Sequence, residues 1–188
     1  MIVSTREGSF APVPVPAKAP LRSRPPRAAS LVEQHRPFVW RVLRRLGLSS
    51  GEATRALYDV FGVLSDQPHF PRPAQLSILA GAAVRIAGQR RRTSSHQPAP
   101  EAEPFDAQAL PREEARALRD SLLLIDGALS ALDAAQRAVF VLIELEGMTL
   151  DQVAAALEMS PRMTSTRLNQ ARVKFDLSAR RLMEASER

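Results

Sequence analysis

The chain lacks several residue types, and each absence removes a class of function. Its 188 residues include no cysteine, which excludes disulfides, thiolate metal sites and a cysteine nucleophile. No apolar run approaches the roughly 20 residues that a membrane-spanning helix needs. The first residues also have no long apolar core after a basic start, so we expect no secretory signal. This composition suits the reducing environment of the cytoplasm, where we expect the protein to be located.

The sequence also lacks the patterns of a catalytic or cofactor site. Its three histidines, His35, His69 and His96, are far apart and have no metal-ligand spacing. None of its eight glycines forms a glycine-rich phosphate loop, and no nucleophile lies in a recognisable strand-turn-helix elbow. We therefore expect no enzyme activity, no metal and no cofactor.

Charge, by contrast, is plentiful and unevenly distributed. The 26 basic side chains exceed the 20 acidic ones, and a net charge of +6 favours an anionic partner such as nucleic acid. Only two of the basic residues are lysine, a bias that a GC-rich genome also produces. Basic side chains dominate up to residue 95, and acids dominate from 96 to 133. The change of charge predicts more than one domain.

Helical periodicity predicts an all-α protein with two small helical domains joined by a flexible linker. Residues 1–29, rich in proline, are predicted to form a disordered tail, and residues 30–92 an N-terminal helical domain. Residues 93–111 are rich in Pro, Ala and acids, which predicts a flexible linker that allows the two halves to separate. Residues 112–188 are predicted to form a four-helix C-terminal domain.

Four capping-box spacings mark predicted helix starts. In this pattern a Ser, Thr or Asp accepts a bond from the third backbone amide, and a Glu or Gln at that third position bonds back. The pairs are Ser30 with Glu33, Ser49 with Glu52, Asp133 with Gln136, and Thr149 with Gln152. Gly47 and Gly147 are expected to end helices.

The last of these starts opens a predicted helix-turn-helix. Positions 150–157 form a short amphipathic helix, 158–160 a turn, and Pro161 begins a second helix with a buried stripe at 164, 168, 171 and 175. This leaves a polar outward face formed by Arg162, Ser165, Thr166, Asn169 and Arg172. Arg can bond the guanine edge, Asn the adenine edge, and Ser or Thr the phosphates, so the face suits the major groove of DNA. An ordinary solvated helix face is the alternative.

In their order, these motifs resemble the extracytoplasmic-function sigma factors of bacterial RNA polymerase. The stretch LDAAQRAVFVLIELEGMTLDQVAAALEMSPRMTSTRLNQAR is similar to the family's domain for the minus-35 promoter element, and HRPFVWRVLRRLG and LYDVFGVL are similar to its N-terminal domain. The resemblance covers about residues 30–186. It implies a sigma factor that directs core RNA polymerase to promoter DNA for transcription initiation, and that is held inactive by an anti-sigma factor.

The resemblance also implies three sets of site residues. The minus-35 element is expected to contact Arg162, Ser165, Thr166, Arg167, Asn169 and Arg172. Core polymerase is expected to bind Glu52, Tyr58 and Asp59. The minus-10 element is expected to contact Arg85, Arg90, Arg91 and Arg92, because this chain lacks the Trp and the Arg-Asn pair usual in that helix of the family.

Two other functions stay open. The predicted second helix begins with fewer acids than the family pattern. A sigma-like DNA-binding regulator or decoy that no longer initiates transcription is therefore the main alternative. An ordinary dimeric helix-turn-helix repressor is the other, and it would require a palindromic site and a dimer.

Overall fold

The structure, a computed structural model, describes residues 27–65, 72–93 and 111–186, and these are built from helices alone. The predicted all-α fold is confirmed. The predicted tail up to residue 26 and linker residues 94–110 lie outside the described residues. The helices, in chain order, are α1 (Arg27–Arg45), α2 (Ser50–Ser65), α3 (Arg72–Thr93), α4 (Arg112–Ser130), α5 (Ala134–Phe140), α6 (Leu150–Ala156) and α7 (Pro161–Ser186).

Three of the four predicted capping boxes are present. The Ser49 amide donates to Glu52 Oε2 at 3.0 Å and the Glu52 amide donates to Ser49 Oγ at 3.3 Å. The boxes at Asp133 and Thr149 are likewise reciprocal. The start predicted at Ser30 is wrong, because α1 begins three residues earlier, at Arg27. This helix also continues through Pro37, which has no amide to donate to the carbonyl of Glu33.

Two glycines end helices as predicted. Gly47 follows α1 with a φ of 92°, and Gly147 precedes α6 with a φ of 68°. Between α5 and Gly147 the chain forms a π-helical turn, Val141–Leu145, that the sequence did not predict. A π turn adds one residue to the helical repeat and so changes the direction of the side chains that follow.

One hydrophobic core joins the two halves of the chain. It contains buried residues of α1, α2 and α3 together with Val139, Leu142, Val153 and Ala156 of the C-terminal half. Helix α3 packs directly on α6, and a Cβ built on Gly81 would lie only 2.4 Å from the carbonyl oxygen of Ala156. The halves, which the sequence predicts to be separable, are therefore in close contact in this structure.

A second, smaller cluster holds the last helix. It is formed by Leu129, Leu132, Phe140, Val141 and Ala171, and the rings of Phe140 and Phe175 stack with centroids 4.6 Å apart. Helix α7 then continues along α4 as far as Ser186, which confirms the predicted extension of the last helix beyond Phe175. None of the helices in the described ranges is long and apolar enough to span a membrane.

Candidate nucleic-acid interface

Helices α6 and α7 form the predicted helix-turn-helix, and the turn between them is tightly bonded. Glu158 adopts a left-handed conformation with a φ of 54°, which is uncommon for a residue other than glycine. The Met159 amide donates to the Ala154 carbonyl at 2.9 Å, and the Met163 amide donates to Ser160 Oγ at 3.2 Å. The turn therefore fixes the angle at which α7 leaves α6.

The inner side of α7 is anchored as the sequence predicted. Thr164, Leu168 and Ala171 are buried, and the hydroxyl of Thr164 donates to the Ser160 carbonyl at 3.1 Å. The apolar stripe continues to Phe175, which stacks on Phe140. With one side of α7 fixed, its other side is directed away from the core.

The outward face carries five of the six residues predicted to contact the minus-35 element. Arg162, Thr166, Asn169 and Arg172 are exposed and Ser165 is half-buried. The hydroxyl of Thr166 donates to the Arg162 carbonyl at 3.0 Å, so its proton is directed to its own helix. This face offers guanidinium, amide and hydroxyl groups along consecutive turns, which is the chemistry of a major-groove reader.

Arg167 is placed differently from the other five. It is half-buried, and at about 100° per residue it lies roughly 200° around α7 from Asn169. It therefore lies on the opposite side of the helix from the outward face, and its contact with DNA stays a prediction.

Arg172 is held by a carboxylate that the sequence analysis did not single out. Its Nε and Nη2 both donate to Oε1 of Glu144, at 2.9 and 2.6 Å. Glu144 lies in the π-helical turn. The pair is partly open to solvent, with 52% of the Arg172 side chain and 32% of the Glu144 side chain exposed.

Two residues further along, Glu146 points to the N-terminal half of the protein. Its side chain is only 2% exposed, and it accepts from Arg41 Nη2 at 2.9 Å and from Arg45 Nη1. Arg45 Nη1 also donates to the Leu145 carbonyl at 3.2 Å. Glu146 thus links the segment before the helix-turn-helix to α1.

Arg137 in α5 adds a second polar contact between the halves. Its Nε donates to the carbonyl of Arg45, the last residue of α1, at 2.6 Å, and its Nη2 lies 3.8 Å from Asp126 Oδ1. Burial lowers the pKa of the Arg137 guanidinium to about 10, with the positive charge of Arg91 acting in the same direction and Asp126 opposing it. The side chain is therefore a buried cation at neutral pH.

The residues predicted for polymerase and for the minus-10 element are partly engaged with one another. Asp59 pairs with Arg90, and Glu52 forms the capping box of α2, while Tyr58 is 72% exposed. Arg85 lies 3.5 Å from Glu158 of the helix-turn-helix. The remaining two lie at the end of α3, where Arg91 Nη1 donates weakly to the Leu46 carbonyl at 3.5 Å and Arg92 is exposed.

The sequence analysis missed Arg137, Glu144 and Glu146. Two of the three belong to the ELEG motif before α6, so a signal was present, although the sequence alone did not indicate what each acid contacts. In the described part of the chain, no group of His, Asp and Glu side chains is arranged to hold a metal ion.

Comparison with known proteins gives a family match for the C-terminal half. The family model described as "Sigma-70, region 4" matches residues 122–175, which include α5, α6 and the first part of α7. A search of curated proteins found no match to the sequence.

A solved structure has a similar fold over most of this chain. The structure described as CnrH in complex with the cytosolic domain of CnrY superimposes with a TM-score of 0.58 and 20% sequence identity, covering 84% of this chain and 88% of that chain. The shared fold therefore includes helices of both halves, beyond the segment that the family model matches. Residues 122–175 therefore match region 4 of the sigma-70 family, and most of the chain shares the helical fold of CnrH.

Proposed function

We propose that this protein binds core RNA polymerase and directs it to specific promoters, with α7 reading the minus-35 element. The observation that carries the proposal is the exposed polar face of α7, which stands on a helix whose opposite side is buried and whose start is capped. A fixed helix can present its side chains to base edges with little loss of conformational entropy on binding. No covalent step is assigned to any residue.

The N-terminal half would contact the minus-10 element and core polymerase. Arg90, Arg91 and Arg92 form the basic last turn of α3, with Arg85 earlier on the same helix, and these guanidinium groups suit the phosphates of the minus-10 element. Promoter opening would require that separated bases be held by stacking and by backbone charge. The exposed ring of Tyr58 on α2 is the best placed of the three residues predicted for polymerase.

We extend the proposal to an inhibitory protein partner and to a cytoplasmic location. CnrH was solved with the cytosolic domain of CnrY, a protein partner for a chain of this fold. An anti-sigma factor that binds this chain would keep it from polymerase until a signal releases it.

The test of the proposal is physical association followed by transcription. The purified full chain is mixed with bacterial core RNA polymerase and run on a sizing column at moderate salt. We expect a one-to-one complex that transcribes from a promoter of this protein's own genome. An Arg162→Ala, Asn169→Ala double variant should still form the complex and should lose promoter selection. Absence of a complex with wild-type protein would remove the proposal.

A sigma-like regulator or decoy is the second candidate, and one observation favours it. Asp59 and Glu52, two of the three residues predicted for polymerase, are engaged within the chain by Arg90 and by the cap of α2. A protein that binds core polymerase and promoter DNA but does not support transcription would identify this second function.

A further inference from the structure

We propose that Glu144 is a positioning residue for DNA reading: it holds the guanidinium of Arg172 so that one edge is presented to a base. The inference rests on the proposed function of α7 and adds a residue outside the predicted contact set. It makes Glu144 part of the sequence specificity of the protein, although its carboxylate has the same sign of charge as DNA.

The geometry of the pair determines which edge of the guanidinium is left. Arg carries five N–H donors in a planar fork, and both Nε and Nη2 donate to Glu144 Oε1. This uses the side edge of the fork. The terminal edge, formed by Nη1 and the second hydrogen of Nη2, is the one that can bond O6 and N7 of guanine together.

The backbone around Glu144 explains why the carboxylate reaches α7. Glu144 and Glu146 are two residues apart, yet one contacts Arg172 of α7 and the other contacts Arg41 and Arg45 of the N-terminal half. Residues two apart in a helix point to roughly opposite sides. Glu144 lies within the π-helical turn Val141–Leu145 and Glu146 directly follows it, between the two helix-capping boxes of this half. π turns within helices occur frequently at functional sites.

The pair also has a consequence for the electrostatics of binding. An unpaired Arg172 could contact about one DNA phosphate, and this contact would raise the affinity for DNA of any sequence equally. Paired with Glu144, its charge is largely neutralised, and its remaining donors favour a hydrogen-bonded base over a phosphate. The pair therefore lowers the affinity for non-specific DNA and raises the preference for a particular base.

The experiment compares the sequence preference of variants of the full chain. Wild type is first used to select binding sites from DNA duplexes with a randomised central segment. The variants are Glu144→Gln, Arg172→Ala and the double variant, with Glu113→Gln as the control, because Glu113 is an exposed acid in the first turn of α4. Far-ultraviolet circular dichroism establishes that each variant is folded.

We expect Glu144→Gln to reduce the preference for guanine about tenfold at one position of the DNA site. Arg172→Ala should lose its preference for guanine at the same position. The binding of Glu144→Gln should also depend more steeply on salt, by up to about 0.9 in the slope of log K against log salt. The double variant should be no less selective than Arg172→Ala alone, since the two residues act as one unit. Glu113→Gln should change neither base preference nor its position.

Two results would overturn the inference, and they differ from failure of the proposed function. If wild type selects a site and Glu144→Gln keeps the full preference at the Arg172 position, Glu144 does not orient Arg172. If both single variants lose preference at different positions, the two residues act separately. Should wild type select no sequence, with or without core polymerase, DNA reading by α7 and the role of Glu144 are both wrong.

Discussion

Gly47 ends α1 in a backbone conformation that residues other than glycine rarely adopt. Its φ is 92°, and a Cβ built on it would lie 3.2 Å from Nη1 of Arg137. We predict that Gly47→Ala lowers the free energy of unfolding by about 1–2 kcal/mol, since an L-residue pays this cost in the left-handed region. Urea denaturation measures the change.

The control for this prediction is a helical glycine with free space around it. Gly62 lies exposed in α2, and a Cβ built there meets nothing within 4 Å. Gly62→Ala should raise the free energy of unfolding by about 0.5–1 kcal/mol through helix propensity. If both variants destabilise the protein equally, the left-handed turn at Gly47 is not the cause.

Burial of Arg137 shows a limit of sequence prediction at the scale of one residue. An Arg that follows Gln in an amphipathic helix is expected on the surface. It is buried here because the last carbonyls of α1 have no amide partner within their helix, and Arg137 donates to one of them, that of Arg45. The outward residues of α7 could be predicted, since their placement follows from periodicity alone.

Helix α6 has only seven residues, so its cap supplies a large share of its local stability. The Thr149 hydroxyl accepts from the Gln152 amide at 3.3 Å. We predict that Thr149→Ala costs about 1 kcal/mol of unfolding free energy. Hydrogen exchange should show the largest loss of protection in α6 itself.

Thr54 provides a matched threonine for comparison. It lies exposed within α2, and its hydroxyl donates to the Ser50 carbonyl at 2.9 Å, so it caps no free amide. Thr54→Ala should leave the unfolding free energy unchanged or raise it by a few tenths of a kcal/mol. An equal loss in both variants would show that the Thr149 cap has no special effect.

At the scale of elements, three of the four capping-box spacings predicted a helix start correctly, and the fourth, at Ser30, lies inside α1. The boxes at residues 49, 133 and 149 each contain both partners, and each starts a helix. The π-helical turn could not be predicted, because one extra residue inside the apolar run AVFVLI leaves the pattern of apolar residues unchanged. The directions of Glu144 and Glu146 depend on that turn.

At the scale of the whole molecule, the contact of α3 with the C-terminal half could not be predicted from the sequence. Ala80, Gly81, Ala82 and Ala83 are all buried, so this stretch has no exposed side. A helix that is apolar all round is buried on more than one face. One side of α3 packs on α1 and α2 and another on α6, a contact between distant segments that no local pattern encodes.

The contact between α3 and α6 can be tested at Gly81. A Cβ there would lie 2.4 Å from the Ala156 carbonyl oxygen, so α3 and α6 must separate by about 1 Å to restore ordinary contact. Spin labels can be attached at Arg55→Cys and Gln170→Cys, and labelling is specific because the natural chain has no cysteine. We predict that Gly81→Ala lengthens and broadens the distribution of distances between these two labels. Gly88→Ala, on the same helix with nothing within 4 Å, should leave that distribution unchanged. An unaltered distance distribution in Gly81→Ala would mean that the halves are already apart in solution, so that the added methyl group meets no contact between α3 and α6.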